Sequence, residues 1–209
     1  MSKVKRPEEF GAEIVEALQA YGWYAGAGYF EADLCRGLKE EALAIYTNSQ
    51  GDGFYQARVG DRFQNLKDTR VRQDQIHWLD PLQASPWQSI YLQRSWDLMM
   101  VLKRAMFLPI NGFESHFAMY QSGAFYKKHV DSFQGRNARL LSLIVYLNDD
   151  WGESDGGQLR IYREDNPEVE AATIQPEMGR FVIFLSETIH HEVLPSHRPR
   201  LSLTGCEIQ

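Results

Sequence analysis

Two cysteines in 209 residues are too few for a disulfide framework, and Cys35 and Cys206 lack the close spacing of a zinc signature. A reducing setting is therefore expected, and a cytoplasmic location with it. Long apolar runs are also missing. The longest, Leu140 to Leu147, is interrupted by Ser142 and falls far short of the roughly 20 residues that a spanning helix needs. No membrane segment is expected, and Met1 to Phe10 carries charges of both signs rather than the apolar stretch of a signal peptide. An excess of positive charge is absent as well: the net charge is −6, which gives no general pull toward nucleic acid or an anionic membrane. No repeat, low-complexity stretch or interdomain linker divides the chain. What is present is an ordinary globular composition, 44% hydrophobic and 24% charged, at a length suited to one domain. A single domain over residues 1–209, acting as a monomer, is the expectation.

The spacing of apolar residues changes character along the chain. Phe10, Ile14 and Leu18 recur at helical spacing behind Pro7, and the periodicity predicts a helix over 7–20. A short strand follows at Trp23 to Ala27. Leu34, Leu38, Ala42 and Ile45 predict a second helix. A third is expected from Pro86 to Phe107, with Ile90, Trp96, Met99, Met100 and Leu102 covering a sheet and with Pro109 and Gly112 ending it. From Phe113 the runs become strand-like, at 113–120, 125–131, 139–147, 158–163, 170–174, 179–185, 191–194 and 200–207. Turn formers such as Asn148-Asp149-Asp150 and Asp155-Gly156-Gly157 separate them. The expected fold class is α+β: residues 1–112 form mainly helical support, and 113–209 form a barrel-like pair of sheets.

Within this frame, His129, Asp131, His191 and Arg200 carry the chemistry. His129 and Asp131 lie two apart in a run of β character, so both side chains point to one face and can share a metal. His190 and His191 point to opposite faces of an extended segment, and only one can ligate. His191 is assigned because Glu192 and Val193 continue the strand that it begins. Two His and one carboxylate leave open positions on a metal, the arrangement that non-heme Fe(II) oxygenases use. The His-x-Asp tripeptide is weak alone, because six His and twelve Asp predict roughly 0.3 chance occurrences. An Arg nine residues after His191 adds weight, since its planar fork suits the carboxylate of a chelating co-substrate. Tyr146 offers a phenol in an otherwise apolar strand, and a buried phenol needs a polar partner. Read singly, Tyr146 and Arg200 are as compatible with structural roles. His77, His116 and His197 stay unassigned.

Arg58 to Arg72 holds five basic residues against Asp61 and Asp68. Its composition suits a solvated excursion as well as a flap over a substrate.

Taken as an ordered set, Tyr120, His129-Val130-Asp131, Tyr146-Leu147-Asn148, Asp150-Trp151, Gly156-Gly157-x-Leu159-Arg160-Ile161 and His191-Glu192-Val193-x-Pro195 followed by Arg200 resemble the prolyl-hydroxylase branch of the 2-oxoglutarate and Fe(II)-dependent dioxygenases. The chain is similar to the hypoxia-sensing prolyl hydroxylases and to bacterial relatives that act on a prolyl residue of elongation factor Tu. The resemblance covers roughly residues 70 to 205 and implies a double-stranded β-helix (jelly-roll) core with flanking N-terminal helices. It implies Fe(II), held by His129, Asp131 and His191, with 2-oxoglutarate and O2 as co-substrates and ascorbate as a reductant. Tyr146 and Arg200 would hold the distal carboxylate of 2-oxoglutarate, with Tyr120 and Thr204 completing its pocket. It further implies that residues 58–74 form a mobile substrate loop, that Asp74 pairs with Arg139, and that Trp78, Arg72 and Tyr126 contact a peptide. The implied partner is a protein with a target prolyl, elongation factor Tu first among them. Two departures stand out: Tyr120 to His129 is one residue shorter than in the hypoxia sensors, and Cys206 stands where they have Trp. An oxygen-sensing role is not carried over. The same chemistry on another residue or a small molecule, and a non-catalytic sensor, are the competing readings; the complete ligand set counts against the second.

Overall fold

The computed structural model describes residues 7–48, 53–58, 68–131 and 139–208. Its helices are α1 (Pro7–Tyr21), α2 (Ala32–Asn48) and α3 (Pro86–Met106). The strands are β1 (Trp23–Ala27), β2 (Tyr55–Gln56), β3 (Gln75–Trp78), β4 (Gly112–Tyr120), β5 (Tyr126–His129), β6 (Arg139–Tyr146), β7 (Leu159–Tyr162), β8 (Glu170–Ile174), β9 (Arg180–Leu185), β10 (His191–Val193) and β11 (Arg200–Ile208). Among the described residues they form two sheets, ordered β1-β9-β6-β11-β4-β3-β2 and β5-β10-β7-β8. Every pairing between these strands is antiparallel.

Side chains of a strand alternate between faces, and here that alternation sorts the molecule into two apolar layers. Leu141, Leu143 and Val145 of β6, Phe181 and Ile183 of β9, and Leu201 and Leu203 of β11 join Phe10, Ile14, Leu38, Leu98 and Leu102 of the helices in one buried cluster. Their neighbours Ile144, Tyr146, Val182 and Phe184 turn the other way. There they meet Leu159, Ile161, Ile174 and Val193 of the smaller sheet. The helices therefore back the large sheet, and the space between the sheets is left for the site.

Phe181 anchors the helical side, with its ring 5.9 Å from Phe10, 6.0 Å from Tyr29 and 5.7 Å from Phe30. Gly11 allows α1 to cross α3 closely, because a Cβ there would collide with Val101. Helix α3 starts where Ser85 caps it by accepting from the Gln88 N–H at 3.1 Å, with Pro86 in the first turn, a strong start signal.

Several boundaries differ from the sequence reading. The end of α3 is set by Phe107, which adopts left-handed backbone at φ 56° and donates its N–H to Lys103 O, ahead of Pro109 and Gly112. The buried face of α3 carries Tyr91, Ser95, Leu98, Met99 and Leu102, whereas Ile90 is exposed. Strands β2 and β3 were not anticipated. They pair as a short hairpin edge, and β3 joins β4, so the basic segment connects two strands of the large sheet. Residues 59–67, the middle of the proposed mobile loop, lie outside the described residues.

Two substitutions separate packing from backbone effects. Phe181→Ala should cost roughly 3–5 kcal/mol in chemical denaturation. Phe107→Gly should be stabilising, by about 0.5–1 kcal/mol, because Phe107 is 92% exposed and already left-handed.

Candidate metal centre and adjoining cavity

Strands β5 and β10 are short, and their register places His191 opposite His129. Their rings lie 4.3 Å apart. Asp131 follows the end of β5, where its N–H donates to Ser186 O at 3.0 Å. Its Oδ1 lies 3.3 Å from His129 Nε2 and 3.5 Å from His191 Nε2. Among the described residues, these three form the one group whose ligand atoms could hold a metal ion, all within 4.8 Å of one another. His190 is not part of it.

The hydrogen bonds set the chemistry of this group. His129 Nδ1 faces Lys127 O at 2.7 Å and His191 Nδ1 faces Ile189 O at 3.1 Å. A backbone carbonyl only accepts, so each Nδ1 carries a proton and each Nε2 is the nitrogen left to face the shared centre. His129 Nε2 is buried and makes no hydrogen bond. Burial, and then the neighbouring His191, lowers the His129 pKa, which keeps that ring neutral. Burial alone would raise the Asp131 carboxyl, but the two imidazoles outweigh it and hold it well below its usual range. Two imidazoles and a carboxylate, with an orphaned nitrogen of His129 beside them, fit a divalent metal. Tyr126 stacks on His129 at 3.5 Å and Phe184 lies 4.5 Å from His191, so aromatic faces fix both rings.

Arg200 starts β11 opposite Tyr120 of β4 and is only 1% exposed. Its Nε donates to Gly157 O at 2.8 Å, and its guanidinium lies 4.8 Å from the Tyr120 ring and 5.1 Å from the Tyr146 ring. No carboxylate pairs with it among the described residues. A buried cation without an anion is costly, and the Tyr146 hydroxyl beside it is buried with no hydrogen-bond partner. Burial pushes the Tyr146 phenol up to about 12, so it stays a donor. A carboxylate is the kind of group that would satisfy both.

A cavity of about 70 Å³ adjoins the three ligands and is lined also by Arg72, Asp74, His116, Tyr120, Tyr126, Arg139 and Thr204. Arg200, Tyr146 and Trp78 are not on its wall; Arg200 lies against Tyr120, which lines it, and against Tyr146. The space is small beside the roughly 300–1,000 Å³ of small-molecule pockets. Lining side chains must therefore shift to admit a ligand. A wider surface groove of about 1,040 Å³ between α1, β1 and the β7–β8 turn holds no metal-ligating cluster.

The expected Asp74–Arg139 pair is not formed. Arg72 instead grips Asp74 with two bonds, Nε to Oδ1 at 2.7 Å and Nη2 to Oδ2 at 2.5 Å, while Arg139 donates to Glu114 at 3.2 Å. Asp74 is fully buried, and the nearer guanidinium satisfies it in the bidentate geometry that such a carboxylate needs. Arg72 also lies 4.3 Å over the Tyr126 ring, which places Arg72, Tyr126 and His129 in one stack. Trp78 packs against His116 at 4.7 Å.

A sequence profile of the 2OG-Fe(II) oxygenase superfamily matches residues 115–206, the span that carries all three ligands and Arg200. A crystal structure of a prolyl-4-hydroxylase from Pseudomonas putida is 36% identical and aligns over 95% of this chain and 98% of that one, with a TM-score of 0.82. The chain belongs to the prolyl-hydroxylase branch of the 2-oxoglutarate and Fe(II)-dependent oxygenases. A prolyl hydroxylase from Trichoplax adhaerens, solved with a hypoxia inducible factor peptide, shares the fold at 23% identity over 97% of this chain and 90% of that one, TM-score 0.81. A curated prolyl 3-hydroxylase of Xenopus laevis is 24% identical over 188 residues, 83% of this chain and 32% of the relative. The chain thus spans about a third of that relative's length.

The roles of four residues of this oxygenase escaped the sequence reading, one of them, Gly157, read only as a turn former and motif glycine. Ser142 and Ser186 bond around Asp131, and their only signal was a hydroxyl in or beside an apolar strand. His116, left unassigned, lines the cavity, has a buried Nδ1 without a partner and is pushed down to about 3 by burial. Gly157 has φ +66°, and a Cβ on it would meet Arg200 Cδ at 2.9 Å and Ser196 Oγ at 3.0 Å. Gly157→Ala should therefore displace Arg200 and weaken 2-oxoglutarate binding about tenfold, or ~1.4 kcal/mol, while metal affinity measured by titration stays unchanged.

Proposed function

We propose that this protein hydroxylates a prolyl residue of a polypeptide at C4, with Fe(II), 2-oxoglutarate and O2, and that elongation factor Tu is its preferred substrate. The observation that carries this reading is the pairing of a three-ligand centre with a buried, anion-free guanidinium at Arg200. His129, Asp131 and His191 hold the metal. Arg200 and Tyr146 take the distal carboxylate of 2-oxoglutarate, with Tyr120 and Thr204 lining its seat. Bound there, Fe(II) and 2-oxoglutarate supply the oxidising chemistry, with succinate and carbon dioxide released and one oxygen atom transferred to a C–H bond.

The rest of the chain binds, orients and shields. Phe184, Tyr126, Ile144 and Val193 exclude water from the ligands, and a drier site strengthens every polar contact within it. Arg72, Asp74, Trp78, Tyr126 and Arg139 form the substrate side. The Arg72–Tyr126–His129 stack links that side to the metal centre, so a peptide that moves Arg72 is felt at the first ligand. Hydroxylation at C4 rather than C3 is supported by 36% identity to the Pseudomonas putida enzyme over nearly the whole chain. Residues 1–209 act as one catalytic domain, monomeric and cytoplasmic, with ascorbate as an auxiliary reductant.

The reading is tested by incubating the protein with Fe(II), 2-oxoglutarate and elongation factor Tu, then mapping oxidised residues by mass spectrometry and analysing the hydrolysate. One oxygen on a single prolyl, recovered as 4-hydroxyproline with matching succinate, is expected. His129→Ala should reduce both at least a hundredfold. Succinate without an oxidised prolyl would replace the substrate, whereas succinate no greater than with His129→Ala would leave a binding module.

A further inference from the structure

Asp131 reaches the centre from between the two sheets, and its two carboxylate oxygens have different surroundings. Oδ1 faces both Nε2 atoms, at 3.3 and 3.5 Å. Oδ2 accepts from Ser142 Oγ at 2.5 Å, within the short range of a hydroxyl bonded to a charged carboxylate. A hydroxyl has one proton. Ser142 spends that proton on Oδ2. The 2.9 Å contact between Ser142 Oγ and Ser186 Oγ then has one possible direction, with Ser186 donating.

Ser186 is itself tied down. Its carbonyl accepts from the Asp131 N–H at 3.0 Å and its N–H donates to Leu140 O at 3.0 Å. Ser142 and Ser186 are both fully buried, so the relay Ser186 to Ser142 to Asp131 Oδ2 is shielded from water. Cys206, the cross-strand partner of Ser142, does not compete, since its thiol turns to Glu114 at 3.4 Å.

We infer that Ser142, oriented by Ser186, is a positioning residue that restricts Asp131 to one-oxygen ligation. This rests on the proposed metal centre and deepens it. With Oδ2 committed to Ser142, Asp131 would offer the metal one oxygen, so that the protein would supply three ligand atoms with the two His. The remaining positions would be left for the chelating co-substrate and the oxidant. Oδ2 accepts from no other side chain in the hydrogen bonds of the described residues, and once freed and turned toward the metal it would take a position that the reaction requires. Iron affinity would survive such a change. The number of open positions would not.

The test uses Mn(II) as the probe, in the absence of 2-oxoglutarate, on the full chain and on Ser142→Ala, Ser142→Thr, Ser186→Ala and His129→Ala. Affinity is read by electron paramagnetic resonance and water ligands by proton relaxation of the bound ion. For Ser142→Ala, Mn(II) affinity within a few-fold of the parent and about one third less inner-sphere water relaxation are expected, from three waters to two. Ser142→Thr should restore the parent value, and Ser186→Ala should shift in the same direction by less. Equal relaxation in the parent, Ser142→Ala and Ser186→Ala, all folded by thermal melting, would overturn the inference while leaving the metal centre intact. Failure of the parent to bind Mn(II) more tightly than His129→Ala would overturn the centre and the inference together.

Discussion

The register of β11 between β4 and β6 governs nearly everything at the site. Arg200 pairs with Tyr120 across β4, and Ser202 pairs with Tyr146 across β6, which gathers a guanidinium and two phenols at one end of the inner face. A slip of one residue would send Arg200 and Thr204 into the helix-facing layer and turn Leu201 and Leu203 toward the metal. The apolar residues resist that slip. Leu201 and Leu203 are buried with Phe117, Met119, Val145 and the helices, and burying each side chain is worth roughly 1.5–3 kcal/mol. Hydrophobic packing on one face thus sets polar geometry on the other.

The polar interior is costly in the isolated chain. A guanidinium without an anion, a phenol without a partner and an imidazole nitrogen without a proton or metal each lose hydration on burial. These deficits are complementary to the proposed ligands: a cation at the triad and a dicarboxylate between the triad and Arg200. Ligands that bind the folded chain alone also stabilise it by mass action. The same complementarity accounts for the small cavity. Arg72 stacks on Tyr126 and Tyr126 on His129 at the wall of that cavity, so on the proposed reading an entering ligand would move them.

Legibility in the sequence followed the range of the interactions. Helix α1 and strands β1 and β8 were readable because local periodicity and turn residues decide them. Strands β2 and β3 were not, since Tyr55–Gln56 and Gln75–Trp78 are short and gain their order from pairing with each other and with β4. The buried face of α3 was misjudged at Ile90 because Ser95 and Tyr91 are buried there, with Tyr91 bonded to Ser115 at 3.0 Å. The triad was legible by residue type and order. Ser142 and Ser186 were not, because they are 44 residues apart and meet only once β6 and β9 are adjacent. The Arg72–Asp74 pair was overlooked in favour of a long-range partner, although two residues on an extended segment share a face and lie within reach.

The central claim is that one interior holds a metal at His129, Asp131 and His191 and a dicarboxylate at Arg200 and Tyr146 together. Anaerobic titration of 2-oxoglutarate into the Fe(II)-loaded protein, followed by visible absorption, tests it most directly. A metal-to-ligand charge-transfer band should grow to one equivalent, be absent in His129→Ala, and require at least tenfold more 2-oxoglutarate in Arg200→Gln. A parent protein that takes up Fe(II) at these residues yet develops no band, or a band whose midpoint is unmoved by Arg200→Gln, would contradict the account.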